Sequence, residues 1–193
     1  MTRSGTSGGQ VDDGTSVLER MRGACGRIGG GLYAAILCLI TLAVLGLMGL
    51  LSHLPWLFPS LGPTVMLFFE SPEQPASRPV NTLVGHGVGL LTGIACFHVV
   101  GVAAAGSAPV DGLHAPHLVA GAVSVAVTTL VLSLLGLPHP PAGATTLIVS
   151  LGILSSPAQF GVMAAAIALL TLLGWSLNLL LGTRPAGTDP RAS

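Results

Sequence analysis

Apolar runs dominate the chain and recur at a nearly constant length. Four of them, residues 32–51, 83–102, 118–135 and 160–181, are each about 20 residues long. At 1.5 Å of rise per residue, such a run makes roughly 30 Å of helix, the thickness of a bilayer's hydrocarbon core. Two further apolar stretches are broken. Residues 54–69 open on Pro55 and Pro59; residues 137–150 open on Pro138, Pro140 and Pro141 and stay apolar to Leu154. Proline inside a helix removes a hydrogen bond and clashes with the preceding turn, so these openings must be non-helical and only the ends can be helix. The pattern predicts an all-α polytopic membrane protein: four long transmembrane helices plus two short helical segments broken by Pro and Gly. Residues 1–29 read as a flexible tail with a short surface helix near 17–22, residues 30–182 as the transmembrane domain, and 183–193 as a second tail. The first apolar run lacks a small-residue cleavage site and reads as a retained span.

Charge sharpens this picture. The chain has seven Arg, no Lys and seven acidic residues. Seven of these charges lie in residues 1–27 and three in residues 184–193, which leaves Glu70, Glu73, Arg78 and Asp111 between them. Residues 112–183 contain no Asp, Glu, Lys or Arg at all. A soluble domain has about a quarter of its residues charged. A soluble enzyme, a disordered chain and a nucleic-acid binder are therefore excluded, the last because it needs a basic face. The expected partner is the lipid bilayer. Cys25, Cys38 and Cys96 lack metal-ligand spacing, and neither metal nor cofactor is expected. No nucleophile, base and orienting carboxylate occur together, so no enzymatic activity is expected. The absence of Lys beside abundant Ala, Gly and Leu suggests a GC-rich bacterial genome, hence a bacterial plasma membrane.

The two broken segments occupy equivalent places, each between two long spans. At an offset of 81 positions, Pro59, Gly62 and Thr64 align with Pro140, Gly143 and Thr145, and Gly93 with Gly174. An internal two-fold repeat is expected. If the broken segments cross the bilayer, the chain crosses six times. Arg20, Arg22, Arg27, Arg78 and Arg184 then share the cytoplasmic side with both termini, and the 103–116 loop with Asp111 lies outside. If they only dip in and return, there are four crossings and Arg78 falls outside. The positive-inside rule favours six, and six makes the halves inverted repeats, a transporter-like plan.

The run Pro138-His139-Pro140-Pro141-Ala142-Gly143-Ala144-Thr145 carries the most chemistry. Its prolines donate no hydrogen bond and push the residues before them to extended conformations. Unpaired carbonyls at membrane depth must then face protein or a wet cavity. Pro141 suits a first helical turn, which would leave free amides at Ala142, Gly143, Ala144 and Thr145 for an anion. Ser60, Gly62 and Thr64 make a similar helix start in the first half.

Residues 137–147, with Pro59 to Thr64, Pro72 to Pro75, Arg78-Pro79, Asn81 and Gly85-His86 in the same order, resemble the signature of the HPP family of integral membrane proteins, named for its His-Pro-Pro run. The resemblance covers roughly residues 30–182. It implies four transmembrane helices, and an association with nitrite transport seen in chloroplast and cyanobacterial members. Some bacterial members carry CBS domains after the membrane part; this chain ends soon after its last span.

Each candidate has a plain alternative. His139 either protonates beside an anion or only bonds carbonyls that its prolines free. His86, inside a span, faces inward as a ligand or as an interhelical hydrogen bond. His98 reads as structural, and His114 with His117 is a weak metal pair. Arg78 either draws anions to a cavity mouth or belongs to a solvated loop. Asn81 reads as a helix cap, and Asn178 should find a polar partner. Gly85, Gly89 and Gly93 form one helix face suited to close packing. Tyr33 and Trp56 fit the interfacial aromatic belt. The expected function is transport or channelling of a small inorganic anion, by a homodimer or larger assembly that uses the glycine-rich helix as one contact. The rival is a non-transporting sensor or accessory subunit.

Overall fold

The structure, a computed structural model, describes residues 15–183. Seven α-helices follow in order: α1 (Val17–Ser52), α2 (Leu61–Glu70), α3 (Pro79–Val100), α4 (Ala108–Asp111), α5 (Ala115–Leu135), α6 (Ala142–Ser150) and α7 (Pro157–Leu180). One-turn 3-10 helices stand at Pro75–Ser77 and Val102–Ala104. No strand occurs among the described residues. α1, α3, α5 and α7 are long and apolar enough to cross a membrane, and they coincide with the four apolar runs. α2 and α6, of 10 and 9 residues, are the short helices expected beyond the proline breaks. Leu39, Leu50, Leu91, Leu134 and Leu180 point outward from the long helices. Such a surface suits lipid, not water.

The short helix expected near 17–22 is present, but it is the start of α1 and not part of a flexible tail: helix runs from Val17 through residue 29 with one interruption at Gly26. Ser16 and Glu19 form a capping box: the Ser16 hydroxyl accepts from the Glu19 amide at 3.2 Å, and the Glu19 carboxylate accepts from the Ser16 amide at 2.8 Å. Leu18 is buried, and the Val17 amide donates to the Leu181 carbonyl at 3.0 Å. Gly26, at φ 56° and ψ −133°, kinks α1 between this anchor and the span proper, a conformation open to glycine because it has no Cβ. The expected tail residues 1–14 and 184–193, Arg184 included, lie outside the described residues.

Contacts at the ends of the broken segments trace their paths. After α1 the chain turns back along it, with Leu57 against Gly46 and Trp56 against Gly49. α2 then ends beside the start of α1. The Arg22 guanidinium donates to the Glu70 carbonyl at 3.1 Å and to the Glu73 carboxylate at 3.4 Å. Arg27, Gly30 and Gly31 share a cavity with Glu70 and Ser71. The second segment mirrors this path. Its opening lies beside the start of α3, where Asn81 Nδ2 donates to the Pro138 carbonyl at 3.0 Å. Its end lies beside α4, where the Leu151 carbonyl accepts from the Ala108 amide at 3.0 Å. The chain thus traverses the bundle six times. Arg20, Arg22, Arg27 and Arg78 gather at one end and Asp111 stands at the other. The two broken segments cover the distance of a long helix because part of each opening, residues 55–58 and 137–139, is neither helix nor turn, and a non-helical chain advances further per residue than a helix does.

This arrangement makes a topology prediction. With Cys25, Cys38 and Cys96 replaced, single cysteines at positions 27 and 78 should react with a membrane-impermeant maleimide from one face only. A cysteine at 113 should react from the opposite face. Labelling of 27 and 78 from opposite faces would exclude six traverses.

The glycine face of α3 packs, as expected, but inside the protomer. A Cβ on Gly85 would stand 2.7 Å from the Cβ of His139. On Gly89 it would stand 2.7 Å from the Ala142 carbonyl and the Thr146 hydroxyl, and on Gly93 2.9 Å from the Thr146 carbonyl and Val149 Cβ. The second broken segment therefore occupies the whole face, which is not available to a second copy as expected. Gly174 on α7 plays the same part toward α2, with the Phe68 ring 2.6 Å from where its Cβ would be.

Candidate functional site

Local rules put the site together from three elements. α2 and α6 each begin near mid-bundle after a proline-rich opening, and each presents a threonine as its fourth residue, Thr64 and Thr145. α3 passes between them. Its His86, fully buried, is held from both sides: Nε2 lies 2.9 Å from the Thr64 hydroxyl and Nδ1 lies 2.7 Å from the Thr145 hydroxyl. The threonines related by the 81-residue offset thus meet on the two nitrogens of one ring. His139 completes the cluster. Its Nε2 stands 3.2 Å from His86 Nε2, with the rings edge to face at a centroid distance of 4.8 Å. Its Nδ1 stands 2.9 Å from the Ala76 carbonyl.

The acceptors assign the protons. A carbonyl only accepts, so His139 Nδ1 donates to Ala76. In a neutral ring the Nε2 of His139 is then an acceptor. The Thr64 hydroxyl donates to the Ser60 carbonyl at 2.9 Å, so toward His86 it accepts. His86 therefore carries its proton on Nε2, and Thr145 donates to Nδ1. With both rings neutral every group is satisfied.

Two cavities flank the cluster. One of about 340 Å³ lies between α5 and the His-Pro-Pro segment, lined by Thr128, Ser133, Pro138, His139, Pro140 and Gly143 among others. The other, about 530 Å³ and mostly apolar, separates α2 from the second segment and is lined by Pro63, Met66, Glu70, Pro140, Pro141 and Ala144 among others.

A sequence model described as the HPP transmembrane region matches residues 25–185. The chain belongs to the HPP family. No curated protein and no solved structure matches it. The His-Pro-Pro run of this HPP chain stands at the cluster described above, and the chain is an integral membrane protein.

Several expectations change at the site. The amides of Ala142, Gly143 and Ala144 are not free: they donate to the carbonyls of His139, Pro140 and Pro141 at 3.0, 3.1 and 3.1 Å. The tight turn that the prolines impose uses its own freed carbonyls to close the helix start. Ser60 is fully buried, caps nothing with its side chain, and its hydroxyl has no partner. Gly62 is half-buried with open space where a Cβ would be. Arg78 is exposed, stays outside the cluster and precedes α3. Asn81 does not cap α3; its side chain ties α3 to the second segment. Tyr33 is buried between helices, with its hydroxyl 3.3 Å from Asn178 Oδ1 and 3.2 Å from the Thr183 hydroxyl. Asn178 finds its expected partner by donating to the Phe68 carbonyl at 2.8 Å.

His117 accepts from the His114 amide through Nδ1 and donates to the Gly106 carbonyl through Nε2, so that ring closes the start of α5. A threonine ladder also went unforeseen. Thr92 and Thr128 lie 2.6 Å apart, Thr128 and Thr146 3.0 Å apart, and Thr146 donates to the Ala142 carbonyl. Threonine is common in apolar helices, and nothing in its spacing marks these three.

Proposed function

We propose that this HPP protein is a small transporter or channel for an inorganic anion, a nitrite-like oxyanion by family. One observation carries the reading: two proline-broken segments converge on a buried His and Thr cluster in a bundle interior without fixed charge. Irregular backbone at membrane depth is tolerated where it lines protein or a water-filled cavity, and broken helices meeting near the midplane are how many transporters build their sites.

The packing supports an inverted two-fold repeat. α3 packs on α6 as α7 packs on α2; α1 packs on α7 as α5 packs on α3; α1 packs on α2 as α5 packs on α6. Exchanging the two sets of three leaves this pattern unchanged, and the sets traverse in opposite senses. Because the helix-start amides are internally bonded, the anion is met by Thr64 and Thr145 hydroxyls, by the helix dipoles and by the histidines. The arginine-rich end, with both termini, faces the cytoplasm. A protomer of this size barely encloses a pathway, so a homodimer or larger assembly is part of the proposal.

The test is flux in proteoliposomes. Nitrite, nitrate, bicarbonate and chloride are each offered, and at least one should move above the rate of empty vesicles. His139→Ala should slow it at least tenfold. If none moves, the transport reading is lost. The self-satisfied hydrogen bonding of the cluster then favours the rival, a non-transporting subunit stapled together by histidines.

A further inference from the structure

We propose that His86 and His139 form one proton-binding site with room for a single extra proton, and that an anion enters the interior with that proton. The second clause rests on the transport reading above; the first does not.

The geometry sets the stoichiometry. In the neutral state one proton lies between the facing Nε2 atoms, on His86, and the other lies on His139 Nδ1, held by the Ala76 carbonyl. The available lone pair is His86 Nδ1, which now accepts from Thr145. A third proton is accommodated there once the Thr145 hydroxyl rotates to accept. The bridging proton can then sit on either Nε2, so the charge is shared by two rings. A fourth proton would place N–H against N–H at 3.2 Å, which is repulsive. The pair therefore takes one proton from water, onto a ring nitrogen lone pair, and gives the same proton back.

The surroundings make this charge count. No Asp, Glu, Lys or Arg occurs in α5, α6 or α7. On the remaining elements packed against the pair, the formal charges are Glu70 at the end of α2, Glu73 before the 3-10 turn that carries Ala76, and Arg78 before α3, all three exposed. The two histidines face each other and no other titratable group. One bound proton thus puts a full positive charge at a cluster that holds no fixed charge. The cavity between α5 and the His-Pro-Pro segment reaches His139.

Two measurements decide it. Nitrogen-15 NMR on the full chain in lipid bilayers should find His139 as the Nδ1–H tautomer and His86 as the Nε2–H tautomer at neutral pH. Acidification should add one proton to the pair. An Nε2–H tautomer at His139, or uptake of two protons, overturns the site. In voltage-clamped proteoliposomes, an inward proton gradient should accumulate nitrate several-fold, and nitrite likewise above empty vesicles. His139→Gln should abolish the accumulation, and His98→Gln, at an exposed helix end, should leave it unchanged. Anion movement that ignores the proton gradient overturns the coupling while transport stands. If neither anion moves, the coupling falls with the transport reading, and the NMR result alone decides the proton site.

Discussion

His86→Leu is expected to destabilise the folded protein by about 2–4 kcal/mol, more than any other single change in the cluster. Leucine fills the volume but makes none of the three polar contacts. Interhelical hydrogen bonds in membrane proteins average about 0.6 kcal/mol each, so three lost bonds account for roughly 2 kcal/mol. The remainder comes from partners left unpaired. Thr145 loses its acceptor, His139 Nε2 loses its donor, and both residues are buried. A buried group without a partner costs about 1–3 kcal/mol in proteins generally, and less where the unfolded chain in lipid also finds partners. For a chain of this length the loss corresponds to a melting temperature lower by roughly 5–15 °C in detergent. His139→Leu removes two contacts and should cost less. Thr64→Val removes one contact to His86 and its own donor together, and should cost least. A melting series in any other order would show that His86 is not the centre of the cluster.

Gly89→Ala is expected to destabilise by about 1–3 kcal/mol, the usual cost of forcing extra volume into a packed interior. Its Cβ would stand 2.7 Å from the Ala142 carbonyl, and a backbone atom cannot swing aside as a side chain does. Relief requires the start of α6 to move, which carries Thr145 and His139 with it. Anion flux should therefore fall along with stability. Gly87→Ala is the matched control. It lies on the same helix two residues earlier, with nothing within 4 Å of its Cβ position. Helix propensity gains up to about 1 kcal/mol from Gly to Ala at both positions. Opposite signs at 87 and 89 would isolate the contact with α6 from propensity. Equal effects would show that α3 and α6 are not in close contact.

These two sites show why the sequence was informative in some places and silent in others. The four spans and the two breaks were legible, because hydropathy over 20 residues and the steric rules of proline act within short stretches of chain. The capping box at Ser16 and Glu19 was present in the same local sense, but the polar composition of residues 1–29 obscured it. The arginine distribution carried the six traverses, since Arg78 falls with Arg20, Arg22 and Arg27 only if a broken segment runs the full depth. The glycine face of α3 was legible as packing, though not its partner, because small residues permit approach by any helix.

What local rules could not supply was who meets whom. In a charge-free interior, polarity does not mark one helix face as inward, so the rotation of each helix was open. Nothing local pairs Tyr33 with Asn178; only the packing of α1 against α7 does. The free amides expected at Gly143 and Ala144 disappeared because three prolines fold the opening tightly enough to reuse its own carbonyls. Thr64, His86, His139 and Thr145 are separated by up to 81 positions, and each alone has an ordinary structural explanation. Hydropathy and proline sterics made this chain a membrane bundle with two breaks. Close packing across α3, where glycine lets backbone meet backbone, made the breaks converge on one histidine.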